Sequence, residues 1–294
     1  MSKCLAVWTV GLIAGLTFLP IIGAQTAAPN GGGNEAKQDL WNSNPLDKKE
    51  YVGKKSAPAP RRDLSGVWDG TTEGGGAYEG ARELPSDGKH SVPFTPLGEA
   101  AFKVNKPGVG VTAIAVEIGN DPVNICDPQG FPRMELYELR TIQIAQTANQ
   151  IVYLDQFNDN WRVIWTDGRE LPKDPEPRWN GYSVGKWVDD YTFVAESNGM
   201  DERTWLDNAG RPHSSELKVE ERFHRVSQDI LELTVTIDDP KMYTKPWVAI
   251  DKIPLHLQPA GFDIREFICA PSETVDYNKQ IGAPAAKGGD WRGR

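Results

Sequence analysis

A succession of short strand-like segments is the feature of this sequence that most restricts its fold. Tight turns at Ala148-Asn149, Asp189-Asp190 and Gln228-Asp229 join neighbouring segments at hairpin spacing, and almost no helical periodicity interrupts the series. The segments are Arg140 to Thr147, Gln150 to Phe157, Trp161 to Thr166, Tyr182 to Val188, Tyr191 to Glu196, Leu217 to Val226, Ile230 to Asp238, Trp247 to Ile253 and Ile264 to Cys269. They predict an all-β domain, an antiparallel meander that forms a calycin-like barrel or a sandwich with few short helices.

The start of the chain has the three-part pattern of a secretory signal peptide. Lys3 precedes an apolar run from Leu5 to Gly23, and small residues follow it. We expect cleavage near Ala24 and a periplasmic or secreted protein. An uncleaved anchor helix is the alternative, which Pro20 disfavours. No later run has the length of a membrane span, so we expect no membrane insertion after cleavage.

Composition shifts divide the chain. Residues 1–24 are the expected signal peptide, 25–62 a flexible Gly- and Pro-rich leader, 63–277 a single β-rich domain and 278–294 a disordered tail. One helix is predicted at Thr95 to Phe102, with Thr95 as N-cap and Pro96 at the first helical position. The three prolines of Asn120 to Arg133 indicate a rigid, irregular loop.

Removal of the signal peptide leaves Cys126 and Cys269, which we expect to form a disulfide in an oxidising compartment. It would close a loop of roughly 140 residues and stabilise the fold by about 4 to 5 kcal/mol. A cysteine metal site or a catalytic thiol is the alternative, and the absence of a CxxC pair disfavours it.

Charge and aromatic content limit the function classes. The net charge is −9 and the basic residues are scattered, so a nucleic-acid partner is not expected. Ten tryptophans favour an aromatic interior or cleft that holds a small molecule. The candidate ligand-binding residues lie in or near turns and on strands that would converge in a meander; they are Trp161, Trp179, Tyr182, Trp187, Trp205 and Arg169, with Arg162 and Arg178 beside two of them.

Residues with side chains suited to catalysis are most concentrated between Met200 and Arg225. His213 is the candidate general base, with Asp201 or Asp207 as its orienting partner and Arg203 or Arg222 to stabilise negative charge. The alternative is a turn histidine that bonds a backbone carbonyl and holds the bend. No second histidine stands at metal-ligand spacing, so neither a metal nor another cofactor is expected.

Glu221 occupies an unusual position in the strand Leu217 to Val226. Period-two alternation places it on the apolar face with Val219 and Phe223, while Arg222 belongs to the opposite face. A carboxylate there must be paired or have a raised pKa, because burying it unpaired costs several kcal/mol. A structural salt bridge is favoured over an acid–base role for Glu221 and Arg222.

Several motifs together resemble a large group of secreted bacterial proteins of unknown function. They are Thr166 to Arg169, Trp179 to Trp187, Thr204 to Asp207, Gly210 to Ser214, Glu221 to Phe223 and Asp238 to Tyr243. The resemblance covers about Asp63 to Cys269 and implies export without implying an activity. Separately, Gly66-Val67-Trp68 is similar to the opening strand of lipocalin-type barrels, where the Trp plugs the closed end.

These observations lead to three functional hypotheses. The first is an exported barrel that binds a small, partly apolar molecule in an aromatic-lined cavity. The second is a cofactor-independent hydrolase, lyase or isomerase that uses His213 with its acidic neighbours. The third is an interaction module of the cell envelope, whose exposed tryptophans bind a partner or a glycan.

Overall fold

The computed structural model describes residues 55–70, 92–108, 114, 118–136, 141–157 and 160–284. Within them, nine β-strands close into a barrel in which each strand pairs with its neighbours in sequence and the first pairs with the last. The strands are β1 Gly66–Asp69, β2 Ile142–Gln146, β3 Gln150–Asp155, β4 Asn160–Trp165, β5 Tyr182–Trp187, β6 Thr192–Asn198, β7 Lys218–Arg225, β8 Ile230–Asp238 and β9 Trp247–Leu257. The predicted all-β fold is confirmed in its barrel form.

The helices are few and short, as predicted. They are α1 Pro96–Val104, a 3₁₀ turn Pro122–Ile125, α2 Arg133–Leu136, and α3 Pro271–Tyr277 with a π-helical turn Asn278–Gly282. Thr95 caps α1, since its side chain accepts a hydrogen bond of 3.0 Å from the Gly98 N–H. None of these described helices has the length and apolar character required to cross a membrane.

The three predicted tight turns join β2 to β3, β5 to β6 and β7 to β8, and all three pairs are antiparallel hairpins. Side chains of β7 alternate between the interior and solvent, as the period-two pattern requires. Val219, Glu221 and Phe223 are buried, whereas Arg222 is exposed. The position predicted for Glu221 on the apolar face is therefore confirmed.

The junction of β4 with β5 departs from the meander. These two strands run parallel and pair only through Ile164 with Ser183 and Trp165 with Val184. Since β5 begins beside the end of β4, the first residues of β4 have no strand partner on this side. The side chain of Asn180 occupies part of that edge and donates to the Trp161 carbonyl at 2.9 Å. The sheet is thus locally open between β4 and β5.

Large side chains fill the barrel interior, among them Tyr153, Phe193 and Phe223, which are all almost completely buried. Trp68 of β1 is fully buried, and its indole N–H donates to the Leu64 carbonyl at 3.0 Å. The Arg225 guanidinium lies 4.4 Å from the centre of its ring. Packed side chains thus occupy the barrel interior.

Cys126 and Cys269 form the expected disulfide, with their Cα atoms 5.5 Å apart. It ties the loop of residues 120–133 to the segment that follows β9. The prediction of a strand at Ile264 to Cys269 is wrong, because the segment has no strand structure in the fold. Because β9 pairs with both β8 and β1, it offers no free edge to the segment that follows it.

The last residues of the predicted leader lie against the barrel. The Ser56 hydroxyl donates to Asp229 at 2.8 Å, and the Gln228 N–H donates to the Ala57 carbonyl at 2.9 Å. The predicted signal peptide, the remainder of the leader up to residue 54, and the end of the predicted tail from residue 285 lie outside the described residues.

Candidate functional site

A cleft of about 700 Å³ opens on the outer side of the barrel at the β4–β5 junction. Trp161 and Trp165 reach it from β4, where they alternate with the buried Arg162 and Ile164. The Trp161 side chain is 60% exposed. The β4–β5 cleft is formed by the aromatic residues Trp161, Trp165, Trp179 and Tyr182 together with Arg169 and Arg178.

The loop of residues 166–181 forms the outer wall of the β4–β5 cleft, and backbone hydrogen bonds fix its end. Arg178 donates its N–H to Gly199 at 3.0 Å, and its carbonyl accepts from Asp201 at 3.0 Å. Gly181 has a φ of 60°, and a Cβ there would collide with the Asn198 carbonyl. The wall is therefore held against the end of β6 rather than free in solvent.

Two arginines lie over aromatic rings of the cleft. The Arg169 guanidinium is 3.6 Å from the centre of the Trp165 ring, and Asp167 accepts hydrogen bonds from it at 2.6 and 2.9 Å. The Arg178 guanidinium is 4.1 Å from the centre of the Tyr182 ring. These contacts favour a position at the cleft for both cations.

Behind the cleft lies a buried ion cluster of Arg162, Glu135 and Glu221. Both Arg162 Nη atoms donate to the Glu221 carboxylate, with Nη1 at 2.8 Å from Oε2, and Nη2 lies 3.3 Å from Glu135 Oε1. The guanidinium also lies 4.0 Å from the centre of the Phe131 ring. Glu221 is thus paired, as its place on an apolar face required, and its partner comes from β4.

Several ionisable groups in and around this ion cluster have shifted pKa values. Burial, and after it the neighbouring Glu221 carboxylate, raises the pKa of Glu135 well above its usual range, although Arg162 opposes the shift. Burial and the Glu135 carboxyl also raise the pKa of the Tyr153 hydroxyl. We infer that Glu135 holds its proton more strongly than an ordinary carboxyl group.

The structure places His213 in the β6–β7 connection, away from the residues that line the cleft. Its Nδ1 is 3.2 Å from the Ser214 carbonyl oxygen and its Nε2 is 2.7 Å from the Thr204 hydroxyl. Burial lowers the pKa of His213. The Ser214 carbonyl can only accept, so Nδ1 carries the proton in that contact, and the Thr204 hydroxyl also donates to the Asp201 carbonyl at 2.9 Å. This geometry matches the turn histidine that bonds a backbone carbonyl.

The other candidates for acid–base chemistry pair with their nearest arginines. Asp201 accepts from Arg203 at 2.7 and 3.0 Å, and Asp207 forms a buried pair with Arg211. Neither carboxylate hydrogen-bonds His213. Arg222 lies outside the barrel, 46% exposed and 3.9 Å from Glu220, so it does not belong to the ion cluster.

Four of the six predicted ligand-binding residues share the β4–β5 cleft: Trp161, Trp179, Tyr182 and Arg169. Trp187 instead packs edge-on against Phe193, and Trp205 is buried beneath Arg133. The sequence prediction missed Trp165, whose spacing from Trp161 on a strand could have revealed it. It also missed Glu135, for which no sequence signal points to the ion cluster.

Comparison of the chain with family models, curated proteins and solved structures finds no match. Across the described ranges, no group of three or more His, Cys, Asp or Glu side chains is arranged to hold a metal ion.

Proposed function

We propose that this protein is an exported binding module that holds a small, partly apolar molecule in the β4–β5 cleft. The observation that carries the proposal is the convergence of Trp161, Trp165, Trp179 and Tyr182 on a single volume of about 700 Å³. Small-molecule sites in proteins have volumes of roughly 300 to 1,000 Å³ and mostly apolar or aromatic walls. Because side chains fill the barrel interior, we place the ligand in this outer cleft.

Export belongs to the same proposal. Its support is the signal-like pattern of residues 1–24 and the disulfide between Cys126 and Cys269. The mechanism based on His213 gains no support from the geometry, because both ring nitrogens have partners within the buried connection. Binding therefore explains the arrangement better than acid–base catalysis at that histidine.

The neutral dye N-phenyl-1-naphthylamine, whose fluorescence rises in apolar sites, tests the proposed cleft. We expect saturable binding of one dye per chain and at least fivefold weaker binding in Trp161→Ala, since an aromatic contact contributes about 1 kcal/mol. Tyr191→Ala is the matched control, because Tyr191 is an exposed aromatic residue outside the cleft. Equal affinity in both variants, or no saturable binding, would contradict the proposal.

A further inference from the structure

Arg178 differs from the other arginines that line the β4–β5 cleft. Arg169 pairs with Asp167, and Arg162 pairs with Glu221 and Glu135. No carboxylate in the part of the chain that the structure describes forms an ion pair with Arg178, which is exposed at the cleft. Its charge is thus available to a ligand, whereas those of its neighbours are already matched.

The geometry of Arg178 suits the recognition of a carboxylate. Its guanidinium carbon lies 4.1 Å from the centre of the Tyr182 ring, and the side chain is exposed at the cleft. A guanidinium over an aromatic face can still offer N–H groups to a carboxylate. The backbone of Arg178 is fixed by hydrogen bonds to Gly199 and Asp201. A guanidinium held in this way loses little freedom when it forms two parallel hydrogen bonds to a carboxylate.

Glu170 limits the charge that the cleft can accept. It is exposed and also lines the β4–β5 cleft. Its carboxylate opposes a second negative charge on a ligand that Arg178 already holds. The protein as a whole carries a net charge of −9, which likewise disfavours highly charged anions.

We propose that the ligand of the β4–β5 cleft is a planar aromatic or conjugated monoanion. Its carboxylate binds Arg178, and its ring packs between the aromatic walls that Trp161 and Tyr182 provide. This inference rests on the proposed function, because it names the class of molecule that the same cleft takes.

Isothermal titration calorimetry with naphthalene-2-carboxylate and its neutral isostere naphthalene-2-carboxamide tests the inference. We expect the carboxylate to bind roughly tenfold more tightly than the amide, because a charge-assisted hydrogen-bonded pair replaces a neutral contact. Arg178→Ala should remove this preference and leave amide binding unchanged. Glu170→Gln should strengthen carboxylate binding, a response to charge that a purely structural role would not produce.

Arg222→Ala is the matched control, since Arg222 is an exposed arginine on β7 outside the cleft. Equal affinities for the two probes, with both weakened by Trp161→Ala, would contradict the proposed monoanionic ligand but still support binding in the cleft. If neither probe binds, or if Trp161→Ala changes neither affinity, the monoanion and the proposed function both fail. A carboxylate preference that survives Arg178→Ala would exclude Arg178 as its source.

Discussion

A single guanidinium, that of Arg162, donates hydrogen bonds to two carboxyl groups inside the barrel. Arg162, Glu135 and Glu221 are each at most 3% exposed, so water contributes little to their solvation. Buried ion pairs are not strongly stabilising against an apolar replacement of both partners, but removal of one partner leaves the other charge unmatched. The ion cluster is therefore a point where one substitution has a large effect.

We predict that Arg162→Met lowers the free energy of unfolding by about 3 to 5 kcal/mol, because it leaves Glu221 without its buried counter-charge. Urea unfolding at neutral pH measures this loss. Arg222 is an exposed arginine outside the cluster, so Arg222→Met should change the free energy of unfolding by no more than about 0.5 kcal/mol. Similar losses in the two variants would show that the pairing inside the barrel is not what Arg162 contributes.

Glu135 should make stability depend on pH. Its pKa in the folded protein lies well above the ordinary value of 4.5, so the folded state binds its proton more tightly than the unfolded state. The stability from this group is complete below pH 4.5 and is lost as the pH rises toward the raised pKa. We predict that Glu135→Gln becomes progressively more stable relative to wild type from pH 5 to pH 8.

Urea unfolding of both proteins across that range tests the prediction, with the difference between them as the measured quantity. Ionisable groups that do not contact the ion cluster contribute to both curves and cancel in the difference. A difference that stays constant from pH 5 to pH 8 would mean that Glu135 ionises normally in the folded state.

At the residue scale, the sequence indicated which charged groups need a partner, but it did not identify that partner. The apolar face of β7 required Glu221 to be paired, but Arg162 comes from β4, a strand that does not neighbour β7 in the sheet. Proximity in sequence suggested carboxylates for His213. In the fold, Asp201 instead bonds Arg203 two residues away, because such local geometry forms without any tertiary arrangement.

At the scale of elements, local chemistry determined what could be predicted. Period-two alternation and two-residue turns predicted the hairpins, and the Thr95 cap with Pro96 predicted the start of α1. These features depend on residues a few positions apart. The segment Ile264 to Cys269 also has a strand-like composition. It could form a strand only beside a strand with a free edge, and its own composition does not show whether one is available.

The parallel junction of β4 and β5 is the element-scale feature that creates the cleft. A meander of antiparallel strands is the simplest arrangement for strands joined by short turns, but the loop of residues 166–181 allows β5 to enter beside the end of β4. Contacts from Asn180 and Gly181 to other elements hold that arrangement. Four cleft residues could be predicted because they are aromatic or basic near turns, whereas the opening itself depends on strand direction.

At the scale of the whole molecule, the barrel is closed by pairing of β1 with β9, and the disulfide adds a second long-range connection. It joins residues that are 143 positions apart in sequence. Such a link acts mainly by restricting the unfolded chain, and its effect grows slowly with the length of the closed loop. The disulfide should therefore matter more for stability than for the shape of the cleft.

We predict that replacing Cys126 and Cys269 together by serine lowers the free energy of unfolding by about 4 to 5 kcal/mol, as loop closure on this length scale implies. Urea unfolding of the oxidised wild type and the double variant measures the loss, and a reductant should destabilise the wild type alone. Binding of N-phenyl-1-naphthylamine to the folded variant should be almost unchanged, since neither cysteine lines the cleft. Weaker dye binding at unchanged stability would instead assign the disulfide to positioning the loop of residues 120–133 at the cleft, where Pro128 contributes to the lining.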